Sequence, residues 1–181
     1  HRGNALAAPE LLDGIVRSPT AKNLVRVFHL QERLKGFGKD SDFRPQRVHV
    51  IGAGVMGGDI AAWCAQRGMT VTLQDQDIGR IAPALARVHA QMSRRRRDRL
   101  EIRAVMDRLI PDPAGHGAAH ADVVIEAIFE NLDAKHALLR ALEPRLKPGA
   151  VLATNTSSLR LEDMRSVLAD PARLVGIHFF N

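Results

Sequence analysis

Three glycines in the run Gly52-Ala53-Gly54-Val55-Met56-Gly57 stand where bare backbone can be brought against a phosphate. They follow an apolar run, Val48 to Ile51, and lead into the helical pattern Ile60, Ala61, Ala62, Cys64. Alone, G-x-G-x-x-G is a weak signal, but between a strand and a helix it is the turn that takes a dinucleotide's pyrophosphate. Gly52 permits the sharp turn, Gly54 leaves room for the phosphates, and Gly57 lets the helix pack close to the sheet. The first helical turn, with Val55 and Met56, adds N–H groups and a partial positive charge. About 20 residues on, Asp75 ends a second apolar run, where such a fold sets a carboxylate on the adenosine ribose hydroxyls. That favours NAD, because Asp75 would repel a 2'-phosphate, while Arg80 nearby leaves NADP open. Asp75 would equally serve as the N-cap of the next helix.

The elements that must position these groups alternate along the chain. From Arg47 onward short apolar runs at 48–51, 70–74, 122–126, 150–154 and 174–178 predict strands. Helical patterns fall between them at about 55–67, 78–92, 98–109, 133–145 and 160–168. This is the texture of βαβ units, hence an α/β fold with a Rossmann-type, doubly wound parallel sheet. Ahead of it, residues 21–35 carry Leu24, Val27, Phe28, Leu30 and Leu34 at spacings near three and four, which predicts an amphipathic linker helix. Pro19 precedes that helix and Gly36-Phe37-Gly38 follows it. The polar stretch from Lys39 to Gln46 divides the chain into a linker, 1–46, and a domain, 47–181. Two helices stand between the second and third expected strands, separated by Arg94-Arg95-Arg96-Arg97.

Composition narrows the classes. The 181 residues are 45% hydrophobic and only 4% aromatic, with no Tyr, which suits an aliphatic α/β core better than a β-sandwich. A single cysteine, Cys64, excludes a disulfide framework and points to a reducing, cytoplasmic setting. No run approaches the roughly 18 to 20 apolar residues of a membrane helix, and no signal-peptide core follows the first residues. The net charge of +6 raises a nucleic-acid reading, set against two others: a solvated helix face, and a site for the phosphates of an anionic substrate. No nucleic-acid partner is expected. No metal is expected either, since His116 and His120 have no Cys or carboxylate partners at ligand spacing.

Three further stretches carry a specific resemblance. Ala121 to Ala127 with Glu130-Asn131-Leu132 and Lys135, then Asn155-Thr156-Ser157-Ser158-Leu159, then His178-Phe179-Phe180-Asn181 resemble successive signatures of the 3-hydroxyacyl-CoA dehydrogenase family. The resemblance covers 47–181, and the leading helix resembles the segment ahead of this domain in multifunctional fatty-acid oxidation α-subunits. It implies an NAD-dependent oxidoreductase that converts (S)-3-hydroxyacyl-CoA to 3-ketoacyl-CoA in fatty-acid β-oxidation, with a thiolase subunit as partner. It implies His178 as catalytic base or acid, a role that suits an imidazole titrating near working pH. Ser157 would bond the substrate oxygen and touch the cofactor, and Asn181 would lie beside both. Glu126, Ala127, Glu130 and Lys135 are implied as further cofactor contacts.

Each assignment has a plainer counterpart. His178 would also cap a strand end, Asn155 to Ser158 would also make a turn and N-cap, and Glu130 with Lys135 would also make a surface ion pair. In the family a glutamate that orients the histidine, a further asparagine and a helical substrate domain lie downstream of the segment matching Asn181, so the chain is expected to lack them. This favours an alternative for the chain alone, an NAD-binding module without turnover. Asp59 stands where the family often has a small uncharged residue. The arginine run falls where the family has a helical hairpin reaching toward CoA, and a guanidinium is well matched to phosphate.

Overall fold

The structure, a computed structural model, describes residues 7–37, 41–94 and 98–179. It divides into two units that meet in sequence between Arg44 and Pro45.

The first unit holds two helices, α1 (Ala7–Arg17) and α2 (Pro19–Gly36). Ser18 separates them: its hydroxyl donates to the Ile15 carbonyl at 2.6 Å and accepts from the Ala21 N–H at 3.1 Å. Pro19 follows at the first helical position, where its missing N–H costs nothing. The expected helix is thus present. α1 was not expected, because Pro9 and Gly14 within it weaken the helical signal. Leu24, Val27, Phe28 and Leu34 of α2 remain exposed.

The second unit is a six-stranded parallel sheet flanked by helices. In chain order it runs β1 (Arg47–Ile51), α3 (Val55–Gln66), β2 (Thr70–Gln74), α4 (Ile78–Arg94), α5 (Arg99–Met106) and β3 (Leu109–Pro111). Then come β4 (Val123–Glu126), α6 (Leu132–Leu142), β5 (Val151–Thr154), α7 (Leu161–Arg165) and β6 (Leu174–Gly176). The strand order is β3-β2-β1-β4-β5-β6, in which the chain reverses its direction of travel between β1 and β4. A crevice opens at such a switch point, beyond the carboxyl ends of the strands.

Alternation along the strands explains the two cores. Val48 and Val50 with Val71, Leu73 and Ile125 face α3, α4 and α5, while Ile51 with Val124, Leu152 and Leu174 faces α6 and α7. Fully buried side chains such as Leu73, Leu139 and Leu152 each contribute about 1.5–3 kcal/mol relative to exposure. His49 departs from the apolar pattern. It is completely buried, with Nδ1 at 2.7 Å from Thr72 Oγ1 and Nε2 at 2.9 Å from Gln74 Oε1. Burial lowers its pKa, so the ring is neutral at pH 7.

Several element boundaries differ from the sequence expectation, and two of them bear on the architecture and the site. The helix expected to reach residue 109 ends at Met106, and Leu109 instead pairs with Val71 as the edge strand β3. Three residues ending in Pro111 are too short to show a period of two. The last strand stops at Gly176, so His178 lies beyond it. Of the arginine run, Arg94 ends α4, and residues 95–97 lie outside the described residues.

Asp122 locks the start of the sheet. Its Oδ2 accepts the N–H groups of Gln46 (2.7 Å) and Arg47 (2.8 Å), and Oδ1 accepts from Lys147. The Lys147 bond first, and then the amides, hold its carboxyl at about 2 instead of 3.8. A depressed carboxylate stabilises the fold above its unfolded pKa, and that contribution is lost as pH falls through the folded one. Asp122→Asn is expected to cost about 1 kcal/mol at neutral pH and to flatten the loss of stability between pH 3.8 and about 2. Acid unfolding followed by circular dichroism tests this, and coincident curves for the two proteins would refute it.

Candidate functional site

The site starts at the glycine turn. Gly52 has φ 105° and donates its N–H to the Gln74 carbonyl at 2.8 Å. A Cβ there would stand 2.5 Å from the Ala127 carbonyl oxygen, and one on Gly57 would stand 1.7 Å from the Gly52 oxygen. No side chain is compatible with either position, so α3 sits directly on the turn. Gly54 is different: nothing lies within 4 Å of its would-be Cβ. As the N-cap of α3 it supplies no side-chain acceptor to the first turn. Open space in front of amides that lack a capping side chain is what a pyrophosphate requires, and the residues present fit that group.

The turn forms one wall of a cleft of about 690 Å³ at the switch point, which also takes in Gln74, Asp75, Arg80, Pro113 and Phe129. This is an ordinary size for a cofactor site. Asp75 does not cap α4. Its Oδ2 accepts the Ala53 N–H at 2.7 Å and its Oδ1 the Gln76 N–H at 2.7 Å, tying the end of β2 to the glycine turn. Val55 is exposed at the start of α3 and Met56 is half-buried behind it. Ala127 lines the cleft.

Under the cleft lies a buried ionic chain. Glu126 is completely buried and Lys135 is 1% exposed, with Lys135 Nζ 2.6 Å from Glu126 Oε1 and 3.3 Å from the Ile128 carbonyl. Thr154 donates to Glu126 Oε2 at 2.7 Å, and the Ile128 N–H donates to Oε1 at 2.8 Å. Glu126 and Lys135 thus sit beneath the cleft and fasten β4, α6 and β5 together. Lys135 also approaches Glu130 at 3.4 Å, so the pairing of those two residues runs from the interior outward.

Glu130 in turn holds the Ser157 loop. Its Oε1 accepts from the Thr156 hydroxyl (2.6 Å) and from the Ser157 and Ser158 amides (2.8 and 3.0 Å), with both serine hydroxyls at 3.2–3.3 Å. Burial alone would raise its pKa, but the Thr156 hydroxyl, the two amides and Lys135 outweigh it and hold the carboxyl at about 2. The loop is a turn, with the Thr156 hydroxyl accepting the Leu159 N–H. It does not cap α7, whose N-cap is Arg160. Asn155 reaches across to accept the Phe179 N–H at 3.0 Å, and Ile177 donates to Thr154 at 3.0 Å. The serine loop and the His178 segment therefore leave the sheet side by side, with His178 exposed. Asn181 lies outside the described residues.

Sequence reasoning missed the tie made by Asn155, the closing bond from Thr154, and Gln74, Pro113 and Phe129 in the cleft. The bulk of Phe129 beside Glu130 was the one available signal. Among the described residues no group of three His, Cys, Asp or Glu is placed to hold a metal.

Fold and site define a dinucleotide-binding domain of the Rossmann class. A family model for the NAD-binding domain of 3-hydroxyacyl-CoA dehydrogenases matches residues 47–181, and the chain belongs to that family. It is 31% identical over 173 residues to a fatty acid oxidation complex subunit alpha from Psychrobacter, covering 91% of this chain and 24% of the relative. Among solved structures, 3-hydroxybutyryl-CoA dehydrogenase from Escherichia coli superposes with a TM-score of 0.74 at 36% identity, over 77% of this chain and 30% of that one. The dehydrogenase part of a multifunctional enzyme from C. elegans gives 0.71 at 32% identity, over 77% and 33%. The chain therefore spans about a quarter to a third of the length of these relatives. NAD is the cofactor of its family.

Two substitutions test this architecture. Gly57→Ala is expected to abolish NADH binding, read by quenching of protein or enhancement of nicotinamide fluorescence, because its methyl group would overlap backbone. Undiminished affinity would show that the turn relaxes. Lys135→Met strands Glu126 in the interior and is expected to cost about 3–5 kcal/mol in urea unfolding, whereas a surface pair would cost under about 1 kcal/mol.

Proposed function

We propose that this chain is the cofactor-binding part of an NAD-dependent enzyme oxidising (S)-3-hydroxyacyl-CoA to 3-ketoacyl-CoA in fatty-acid β-oxidation. The observation that carries this reading is the pairing of the Ser157 loop with the His178 segment through Asn155 and Phe179. It sets a hydroxyl and an imidazole at the same end of the sheet as the glycine turn. The names of the relatives support the substrate class, since a 3-hydroxybutyryl-CoA dehydrogenase and a fatty acid oxidation complex subunit are among them.

In this mechanism His178 takes the proton of the substrate's C3 hydroxyl, and returns it in the reverse direction. Ser157 directs its hydroxyl to the same oxygen, on a loop that Glu130 holds in place. Asn181 is assigned a contact with substrate and cofactor. The chemistry that NAD supplies when bound is acceptance of a hydride from C3. Gly52, Gly54, Val55, Met56 and Gly57 form the pyrophosphate turn, Asp75 takes the ribose, and Ala127 and Glu130 flank the nicotinamide end. Glu126 and Lys135 support that end from below. Some of Arg94 to Arg97 are assigned to CoA phosphates. We place the protein in the cytoplasm, in a complex with a thiolase subunit. No helix among the described residues is long and apolar enough to cross a membrane.

The small share of its relatives that the chain spans favours a second reading for the isolated chain, binding without turnover. Calorimetric titration with NADH, followed by acetoacetyl-CoA while the nicotinamide absorbance is watched, is expected to give binding and no oxidation. In any form of the protein that supports turnover, His178→Gln is expected to lower kcat by about 10²–10⁴-fold with NADH binding intact. A smaller loss would remove His178 from the proton transfer.

A further inference from the structure

By alternation along β1, His49 shares a sheet face with Ile51 of the second core, yet the cluster it joins is polar. The ring is completely buried against Thr72 and Gln74 of β2, whose oxygens stand 2.7 Å from Nδ1 and 2.9 Å from Nε2. An amide oxygen can only accept, so Nε2 carries the ring proton toward Gln74 Oε1 and Nδ1 accepts from the Thr72 hydroxyl. The histidine thereby fixes both side chains of β2, since turning either away would leave a buried ring nitrogen unmet.

The loop after β3 rests directly on this cluster. A Cβ on Gly117 would stand 2.1 Å from Thr72 Oγ1, and one on Gly115, where φ is 69°, would stand 2.6 Å from the Gln74 amide. Asp112 closes the loop on itself by accepting the His116 and Gly117 N–H groups at 3.0 and 2.7 Å, and its carboxylate lies 3.9 Å from His49 Nδ1. Arg145 adds a bond to the Gly115 carbonyl at 2.6 Å. Pro113 of this loop lines the cleft together with Gln74. The buried histidine therefore reaches the cleft only through the groups it holds in place.

We propose that His49 is a positioning residue for the dinucleotide, seating the loop from Asp112 to Gly117 on Thr72 and Gln74 and so setting the cleft wall that Gln74 and Pro113 form. The inference rests on the dinucleotide reading of the cleft. That wall adjoins Asp75, on the side assigned to the adenosine ribose, so displacing it weakens every ligand that carries adenosine diphosphate by the same factor. A valine at this position suits a strand, but it would leave the Thr72 hydroxyl and the Gln74 carbonyl without their partner and the loop without a fixed seat.

Calorimetric titration of the chain with NADH and with 5'-ADP tests this, because affinity and stoichiometry are read separately and neither probe needs turnover. His49→Val is expected to weaken both probes about tenfold at unchanged stoichiometry, the size of one or two ordinary hydrogen bonds. His49→Gln, whose amide offers a donor and an acceptor in place of the ring nitrogens, is expected to stay within about threefold of the unaltered chain. Gln74→Leu is expected to weaken both probes as well, and adding His49→Val to it should cost no more than about twofold further, because both changes act through one contact. Reduced stoichiometry with unchanged affinity in His49→Val would make the histidine a purely structural residue and overturn the proposal, and so would losses that multiply in full in the double variant. If His49→Val does not fold, Gln74→Leu decides, and undiminished binding there overturns the proposal. Failure of both probes to bind the unaltered chain would instead sink the dinucleotide reading, and this inference with it.

Discussion

The buried pair of Glu126 and Lys135 is the interaction on which the rest of the site depends. Two charges taken out of water are tolerable only when geometry is close and the remaining lone pairs and protons are met. Here the carboxylate has Lys135, Thr154 and the Ile128 amide, and the ammonium has Glu126, the Ile128 carbonyl and Glu130. Because those partners come from β4, the loop after it, α6 and β5, meeting all of them fixes four pieces of chain at once. Glu130 then passes the constraint outward to Thr156, Ser157 and Ser158. The serine loop owes its position to a charge about which it has no direct information.

A second tie works from the other side of the switch point. Asp75 bridges β2 to the glycine turn, and Ala127 abuts Gly52 from the end of β4. The crevice between these walls is a consequence of strand order, since the chain leaves the middle of the sheet in opposite directions from β1 and β4. The glycine turn, Asp75, Ala127 and the serine loop follow strands of one parallel sheet, and every such strand delivers its carboxyl end to the same edge.

Much of this was legible in the sequence. Strands of four or five residues buried on both faces, such as Val123–Glu126, read as apolar runs, and the glycine turn fell between a clear strand and a clear helix. What was not legible had physical causes. β3 is three residues long and ends in proline, so it has no period. His49 lies mid-strand, and nothing in its neighbours foretold that Thr72 and Gln74, on an adjacent strand, would satisfy both ring nitrogens. Local spacing could not show that Lys135 points inward, because its partner Glu126 lies nine residues back across a strand and a loop. Nor could it show Asn155 reaching Phe179, a contact set by the adjacency of β5 and β6.

The central position of β1 carries a consequence for how the chain assembles during synthesis. Arg47 pairs with Thr70, which emerges soon after it, but Val48 must wait for Val123. Contacts so distant in sequence close late, because the entropy of the intervening loop must be overcome first. A nascent chain can stack α3, α4 and α5 on β1 and β2 while the other edge of β1 still offers unpaired N–H and C=O groups, the kind of edge that invites wrong pairing. The phosphate-binding turn is thus among the first motifs of the second unit to be made and among the last to be enclosed, since Ala127 arrives only with β4.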